Sequence, residues 1–360
     1  MYKYSHGGNA VFEDGKSDVI DLSANINPLG IPHGTEDAII GGIATINRYP
    51  DSFSTKLREE IGTFENINPD WIFCGNGASD IIFRLPRAVR AKRVMVTAPT
   101  FSDYERSARC FGAEVIYHPL SAGNGFMLDS SFLASVQREN TDLIFICNPN
   151  NPTGKLTERE LINNLLCHCK KAGAWLVIDE CFLDFAEHAD QYTSKIFLED
   201  NPTLVILKAF TKLFALPGVR LGYALSANKT LIENLYFHGA DWAVSNFAQA
   251  AGIAALKDAN AYVSQTVKYV SAERERLEKE LEQLGFNVFE SCANYVFFQN
   301  PHPFDLHGEL DKAGIRIRDC GNFPGLDSRY CRIAVSTNEN NTKALTAIAE
   351  IINSYLKRRN

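Results

Sequence analysis

The stretch Lys208-Ala-Phe-Thr-Lys-Leu-Phe-Ala-Leu-Pro-Gly-Val-Arg-Leu-Gly-Tyr223 follows an apolar run, Leu204 to Leu207, that reads as a buried parallel strand. Within it Lys212 sits beside the hydroxyl of Thr211, is followed by apolar residues, and lies eight positions before Arg220. A lysine at the carboxyl end of a strand, near a second cation, is set up to lose its proton and act as an amine nucleophile. An arginine offers a planar fork suited to a phosphate. An amine and a phosphate clamp are what pyridoxal 5′-phosphate (PLP) requires, one at each end of the cofactor. A surface loop with two solvated cations fits the same residues equally well, and this segment alone does not choose.

Other strand ends do. Trp175-Leu-Val-Ile-Asp179 is a second apolar run and ends in a carboxylate, at the edge where open α/β sheets bind ligands. Asp179 there either caps a helix or faces the pyridine nitrogen of PLP, which must stay protonated to serve as an electron sink. A third run, Leu143 to Cys147, leads into Asn148-Pro-Asn-Asn-Pro-Thr-Gly154. Two prolines and a glycine exclude helix and strand, so this is a rigid turn, with Asn151 as an amide donor for the cofactor's phenolic oxygen. Gly75-Asn-Gly-Ala-Ser-Asp80 precedes a helix-compatible stretch, Ile81 to Arg90. Its backbone N–H groups and helix dipole suit an anion, with Gly77, Ala78 and Ser79 as the phosphate contacts. Val94 to Thr97 leads to Ala98-Pro-Thr-Phe101, placing an aromatic either in the core or against a flat ring. One group each for amine, ring nitrogen, phenolic oxygen, phosphate and ring face selects the PLP reading.

With these pieces quoted, the chain resembles the fold-type I PLP enzymes of the aspartate aminotransferase superfamily, from about residue 5 to residue 350. The resemblance implies an α/β fold: a mainly parallel sheet in a large PLP-binding domain, residues 41–255, and a smaller α/β domain made of residues 1–40 plus 256–360. It implies Lys212 and Asp179 as catalytic residues. Gly77, Ala78, Ser79, Phe101, Asn151, Asp179, Thr211, Lys212 and Arg220 hold the cofactor. Tyr49, in Asn47-Arg-Tyr-Pro50, matches the position from which the family reaches the partner subunit's cofactor phosphate, so a homodimer is expected.

Two groups within that superfamily compete. His6-Gly-Gly-Asn9 followed by Ser23-Ala-Asn-Ile-Asn-Pro-Leu-Gly30 is similar to the opening of the L-threonine O-3-phosphate decarboxylases of cobalamin biosynthesis. Histidinol-phosphate aminotransferases usually carry Asn-Glu-Asn-Pro there, and a tyrosine where this chain has Phe182. Asp241-Trp-Ala-Val-Ser245 with Ala248-Gln249 also resembles the decarboxylases, whereas Arg316-Ile-Arg-Asp319 and Arg332-Ile-Ala-Val335 are shared by both groups. The implied activity is therefore PLP-dependent loss of CO2 from threonine phosphate, giving (R)-1-amino-2-propanol O-2-phosphate. The alternative is transamination of histidinol phosphate with 2-oxoglutarate. Either way a small phosphorylated substrate is implied, bound by Arg332 with Arg318 and Asn151, by Asn27 in the loop beneath it, and by His6 near its phosphate. Three positions depart from the family pattern: Lys208 and Ala209 replace a common arginine and serine, and Cys181 replaces an alanine.

Composition fits a soluble enzyme. The chain has 360 residues, 45% of them hydrophobic and 22% charged, ordinary values that allow a large core. A formal charge of −7 gives no reason to expect nucleic acid or an anionic membrane as partner. No run approaches the roughly 18 apolar residues of a membrane span, and Met1-Tyr-Lys-Tyr-Ser-His is not a signal peptide. Nine cysteines, an odd number and mostly in apolar runs, point to reduced thiols in a cytoplasm. Cys167-His168-Cys169 is not expected to bind metal, because adjacent helical residues point apart and no second ligand pair lies nearby. A ligand-sensing regulator on the same fold would need a DNA-binding module, for which the 20 residues ahead of Asp21 leave no room.

Overall fold

The computed structural model describes residues 7, 8 and 19–359, so the expectation for His6 lies outside the described residues. Its strands are β1 (Ile20–Asp21), β2 (Ile72–Gly75), β3 (Arg93–Ala98), β4 (Glu114–Pro119), β5 (Leu143–Cys147), β6 (Trp175–Asp179) and β7 (Leu204–Ala209). They continue with β8 (Gly222–Leu225), β9 (Asn287–Phe289), β10 (Tyr295–Gln299), β11 (Ile315–Arg316), β12 (Arg318–Asp319) and β13 (Tyr330–Ala334). Seven of them form one sheet in the order β2-β8-β7-β6-β5-β3-β4. From β7 to β4 all pairings are parallel, while β8 runs antiparallel to both its neighbours.

The inner strands read as unbroken apolar runs because both their faces are covered. Alternate residues feed two cores: Ile144, Ile146, Leu176, Ile178, Leu204 and Ile206 on one face, Phe145, Val177, Val205 and Leu207 on the other. Strand β4 has no such run. It is the sheet edge, with His118 its one buried residue, which is why its sequence carries little strand signal. A second sheet, β12-β13-β10-β9, is antiparallel, and beside it β1 pairs in parallel with β11. The long helix Ala259–Gln283 buries Val270, Leu277 and Leu281 beneath it. No helix among the described residues is long and apolar enough to cross a membrane.

Lys208 is 3% exposed and sits in a buried charge cluster behind the sheet edge. Its ammonium lies 2.7 Å and 3.0 Å from the Asp184 oxygens and 3.4 Å from Glu65 Oε1. Glu65 also accepts hydrogen bonds from Lys195 Nζ, at 2.6 Å, and from the Tyr223 hydroxyl. Burial by itself would raise the Glu65 carboxyl, but Lys208 and Lys195 outweigh it and hold the group at about 2. The folded state thus favours the carboxylate. This contribution to stability is complete above the ordinary carboxylate range and is lost as pH falls towards 2. Removing one partner of a buried ion pair costs about 3–5 kcal/mol. Lys208→Met is expected to lose about that much in urea denaturation at neutral pH, and Glu65→Gln to show a shallower loss of stability on acidification than the wild type.

Candidate active site

The carboxyl ends of β3, β5, β6 and β7 open into a cavity of about 420 Å³, closed on its far side by β12, β13 and the loop Asn322-Phe323-Pro324. Ala78, Ser79, Phe101, Asn151, Asp179, Thr211, Lys212, Arg220, Arg318 and Arg332 all line it. The residues from 78 to 220 meet here because the large sheet brings its strand ends to one edge, and the second sheet adds Arg318 and Arg332.

Asp179 ends β6, is 5% exposed, and has its geometry fixed by hydrogen bonds from Tyr104 and Cys181. Oδ2 accepts the Tyr104 hydroxyl at 2.7 Å and Oδ1 accepts the backbone N–H of Cys181 at 3.0 Å. Burial raises its pKa, and these hydrogen bonds only partly restore it. No cation pairs with it among the described residues. Lys212 belongs to the single helical turn Phe210–Leu213 just past β7. Burial, followed by the charges of Arg332 and Arg220, brings its ammonium down to about 8, where an amine can serve as nucleophile or base near neutral pH. Its Nζ lies 5.8 Å from the ring centroid of Phe182, which also lines the cavity.

Arg332 is buried on β13. Its Nη1 donates to Asn151 Oδ1, its Nη2 donates to the Ser23 carbonyl at 2.9 Å, and its guanidinium carbon lies 5.2 Å from the Tyr295 ring centroid. An arginine only donates, so it fixes the Asn151 amide and leaves the NH2 as that side chain's remaining donor. Arg332 Nε is buried and has no hydrogen-bond partner among the described residues. Directly across the ladder stands Arg318, which donates to Asn322 Oδ1 at 2.7 Å and lies 5.3 Å from the Phe323 ring. Like charges facing each other across strands repel; burial depresses the pKa of both guanidiniums. An anion between them would offset that cost.

At the other end, helix Gly77–Ala88 starts against the arginine of the opening motif. Gly77 has φ +79°, and a side chain there would come within 2.6 Å of Arg220 Nη2. The glycine thus lets the guanidinium lie against the head of the helix, beside the N–H groups of Ala78 and Ser79. The Ser79 hydroxyl donates to Asp103 Oδ2 at 2.9 Å. Gly222 plays a matching part on β8, since a Cβ there would meet Ala78 N at 2.4 Å.

Three expected residues lie elsewhere or outside the description. Asn27 is buried and does not line the cavity: its Nδ2 donates to the Leu213 carbonyl at 2.7 Å and to Thr266 Oγ1 at 2.8 Å, and its N–H donates to the Lys212 carbonyl at 3.2 Å. With both amide hydrogens engaged it braces the lysine from behind. The same loop offers Asn25 to the cavity, buried and with Oδ1 unpartnered among the described residues. Nothing in Ser23-Ala-Asn-Ile-Asn-Pro28 tells which of two asparagines will do this. Tyr49, expected to reach a partner subunit's cofactor and not this cavity, is 79% exposed and stacked on Trp242 at 4.4 Å. His6 is not described. Tyr104 was also missed, although a signal exists: it follows Phe101 by three positions, and residues so spaced share a helix face.

PLP fits this cavity. The unpaired, buried Asp179 lacks the positive charge that a pyridinium supplies, the low-pKa Lys212 suits its aldehyde, and Arg220 with the helix head suits its phosphate.

Residues 17–348 match the family model "Aminotransferase class I and II". A threonine-phosphate decarboxylase of Salmonella typhimurium is 33% identical over 359 residues, 98% of each chain. Among solved structures, the histidinol-phosphate aminotransferase of Clostridium acetobutylicum has a TM-score of 0.86 at 32% identity, covering 93% of this chain and all of that one. The histidinol-phosphate aminotransferase of Sinorhizobium meliloti, solved in complex with pyridoxal-5′-phosphate, has a TM-score of 0.83 at 23% identity over 95% and 93% of the two chains.

Two outcomes are expected at Lys212. In the cofactor-free protein its acylation by an amine-directed reagent should rise with a midpoint near pH 8, well below that of exposed lysines, as followed by peptide mass spectrometry. Phe182→Tyr adds a hydroxyl on this wall beside the Asn151 donor. It should lower the pH at which the cofactor-loaded protein changes its visible absorption; an unchanged midpoint would mean the new hydroxyl does not reach the cofactor.

Proposed function

We propose that this chain, which belongs to the class I and II aminotransferase family, decarboxylates L-threonine O-3-phosphate to (R)-1-amino-2-propanol O-2-phosphate and CO2 in cytoplasmic cobalamin biosynthesis. Its cofactor is pyridoxal 5′-phosphate. The observation that carries the reading is the arginine pair, Arg318 and Arg332, in register on adjacent strands and both lining the cavity. Two guanidiniums suit a substrate with two anionic groups, and threonine phosphate bears a carboxylate and a phosphate. Histidinol phosphate bears only the phosphate; an aminotransferase would need the pair for its dicarboxylate co-substrate. The likeness to the Salmonella decarboxylase over 98% of both chains supports the same choice.

When bound, PLP supplies a sink for the electron pair of a bond broken at the substrate's Cα. The protein's residues do the rest. Arg318 and Arg332 clamp the two anions, which sets the direction of the Cα–carboxylate bond, while Asn25 and Asn151 offer amides beside them. Asp179 balances the charge of the ring nitrogen. That bond breaks, CO2 departs, and Lys212, titrating near 8, returns a proton to Cα. Phe101 and Phe182 wall the cavity against water.

With threonine phosphate and no keto acid, the loaded enzyme should release CO2 over many turnovers. Arg332→Ala should lower kcat/KM by about 10²–10³-fold, the usual cost of truncating one partner of a buried charged contact. Turnover of histidinol phosphate with 2-oxoglutarate, and no CO2 from threonine phosphate, would overturn the reading.

The proposal includes a homodimer. Ile40, Ile43, Ile46, Tyr49 and Phe53 stand exposed on one segment, with Trp242 against Tyr49, and an apolar patch of this kind marks an interface. Ile43→Glu with Ile46→Glu is expected to shift the protein to monomer in sedimentation velocity, where the wild type runs as a dimer.

A further inference from the structure

We infer that Tyr104 is a positioning residue that keeps the cofactor's ring nitrogen protonated by holding Asp179 as a carboxylate. The inference rests on PLP being the cofactor and not on which bond of the substrate breaks.

Tyr104 lies on the helix Ser102–Phe111 and is fully buried. Its ring stacks on Phe145 with centroids 4.9 Å apart and planes 9° from parallel, and meets Phe101 edge-on at 5.6 Å. Held by these two rings, Tyr104 sets its hydroxyl 2.7 Å from Asp179 Oδ2, with the Cys147 thiol also within hydrogen-bonding reach. The other oxygen is taken by the Cys181 N–H.

A proton between a buried carboxylate and a ring nitrogen can rest on either. Burial without donors favours the neutral pair, acid and pyridine. Hydrogen bonds to the carboxylate favour the charged pair, carboxylate and pyridinium. The titratable groups around Asp179 are Tyr104 and Asp103 from the helix, Cys147 from β5, Cys181 beyond β6 and Tyr295 from β10. Asp103 works against the anion, and burial pushes the thiols and phenols up so that they stay neutral. Tyr104 therefore remains a donor throughout the working range; the Cys181 side chain also favours the Asp179 anion, but only the phenol can be deleted while its ring and packing are kept. The substrate's anions bind elsewhere, at Arg318 and Arg332, so Tyr104 bears on turnover and not on substrate affinity.

Tyr104→Phe deletes one oxygen and keeps both ring contacts. The enzyme would be reconstituted with pyridoxal phosphate labelled with ¹⁵N in its ring, and the nitrogen observed by NMR without substrate. The wild type should show a pyridinium shift, and the variant a move towards neutral pyridine. In the variant kcat should fall by about 10–100-fold, the loss of one hydrogen bond to a charged group, with KM within about twofold. A ring nitrogen as protonated in Tyr104→Phe as in the wild type, with kcat unchanged, would overturn the inference. Should that variant fold poorly, 3,5-difluorotyrosine at position 104 is a stronger donor of the same shape. It should leave the nitrogen at the pyridinium shift, and a shift moved towards neutral pyridine would overturn the inference equally. Wild-type protein that takes up no pyridoxal phosphate would instead sink the cofactor reading itself, whereas failure to release CO2 would leave the nitrogen measurement standing.

Discussion

A carboxylate at the end of a strand buried on both faces has to be stabilised by something, and much of the site follows from how Asp179 meets that demand. The apolar run that makes β6 an inner strand also takes its last residue out of water. Hydrogen bonds from Tyr104 and Cys181 converge on the carboxylate, yet its pKa stays raised. Elsewhere in the cavity the imbalance has the opposite sign: burial, with the charges of Arg332 and Arg220, brings Lys212 down to about 8. One end of the cavity lacks a positive charge and the other has an excess of it. A cofactor with a cationic ring nitrogen and an anionic phosphate corrects both deficits at once, which is why a fold with these two ends fits PLP so closely.

The same sheet shows what a sequence can reveal. The inner strands were legible because burial on two faces leaves an unbroken apolar run, and β5 and β6 begin and end where those runs do. The turn from Asn148 to Gly154 was legible because proline and glycine restrict the backbone locally. The edge strand β4 was not, since half-exposed residues carry a weak pattern. Nor were Asn25, Tyr104 or the engagement of the Ser79 hydroxyl by Asp103, because each depends on which way a side chain points or on a partner far away in sequence. The register that sets Arg318 opposite Arg332 belongs to the same class: both arginines are visible in sequence, but not that they face one another.

Lys208 illustrates how a departure from a family pattern can be absorbed. An arginine brings a fork of donors; a lysine brings one compact charge. Here that charge is met by Asp184 and Glu65 together, with Lys195 and Tyr223 completing the shell of Glu65. The cluster ties β7, β8 and the loop after β6 to one another just behind the residues that meet the cofactor. Its chemistry is remote from the reaction, but the strand ends it fastens are not.

The short segment from Ser23 to Asn27 has a mechanical consequence. At one end the Ser23 carbonyl is held by Arg332, on the small sheet; at the other, Asn27 grips the backbone of Lys212 and Leu213 and the hydroxyl of Thr266. Five residues thus act as a strut of fixed length between the anion clamp and the catalytic amine. The strut cannot lengthen without giving up an anchor, so the spacing between the two chemical functions is gauged by covalent geometry.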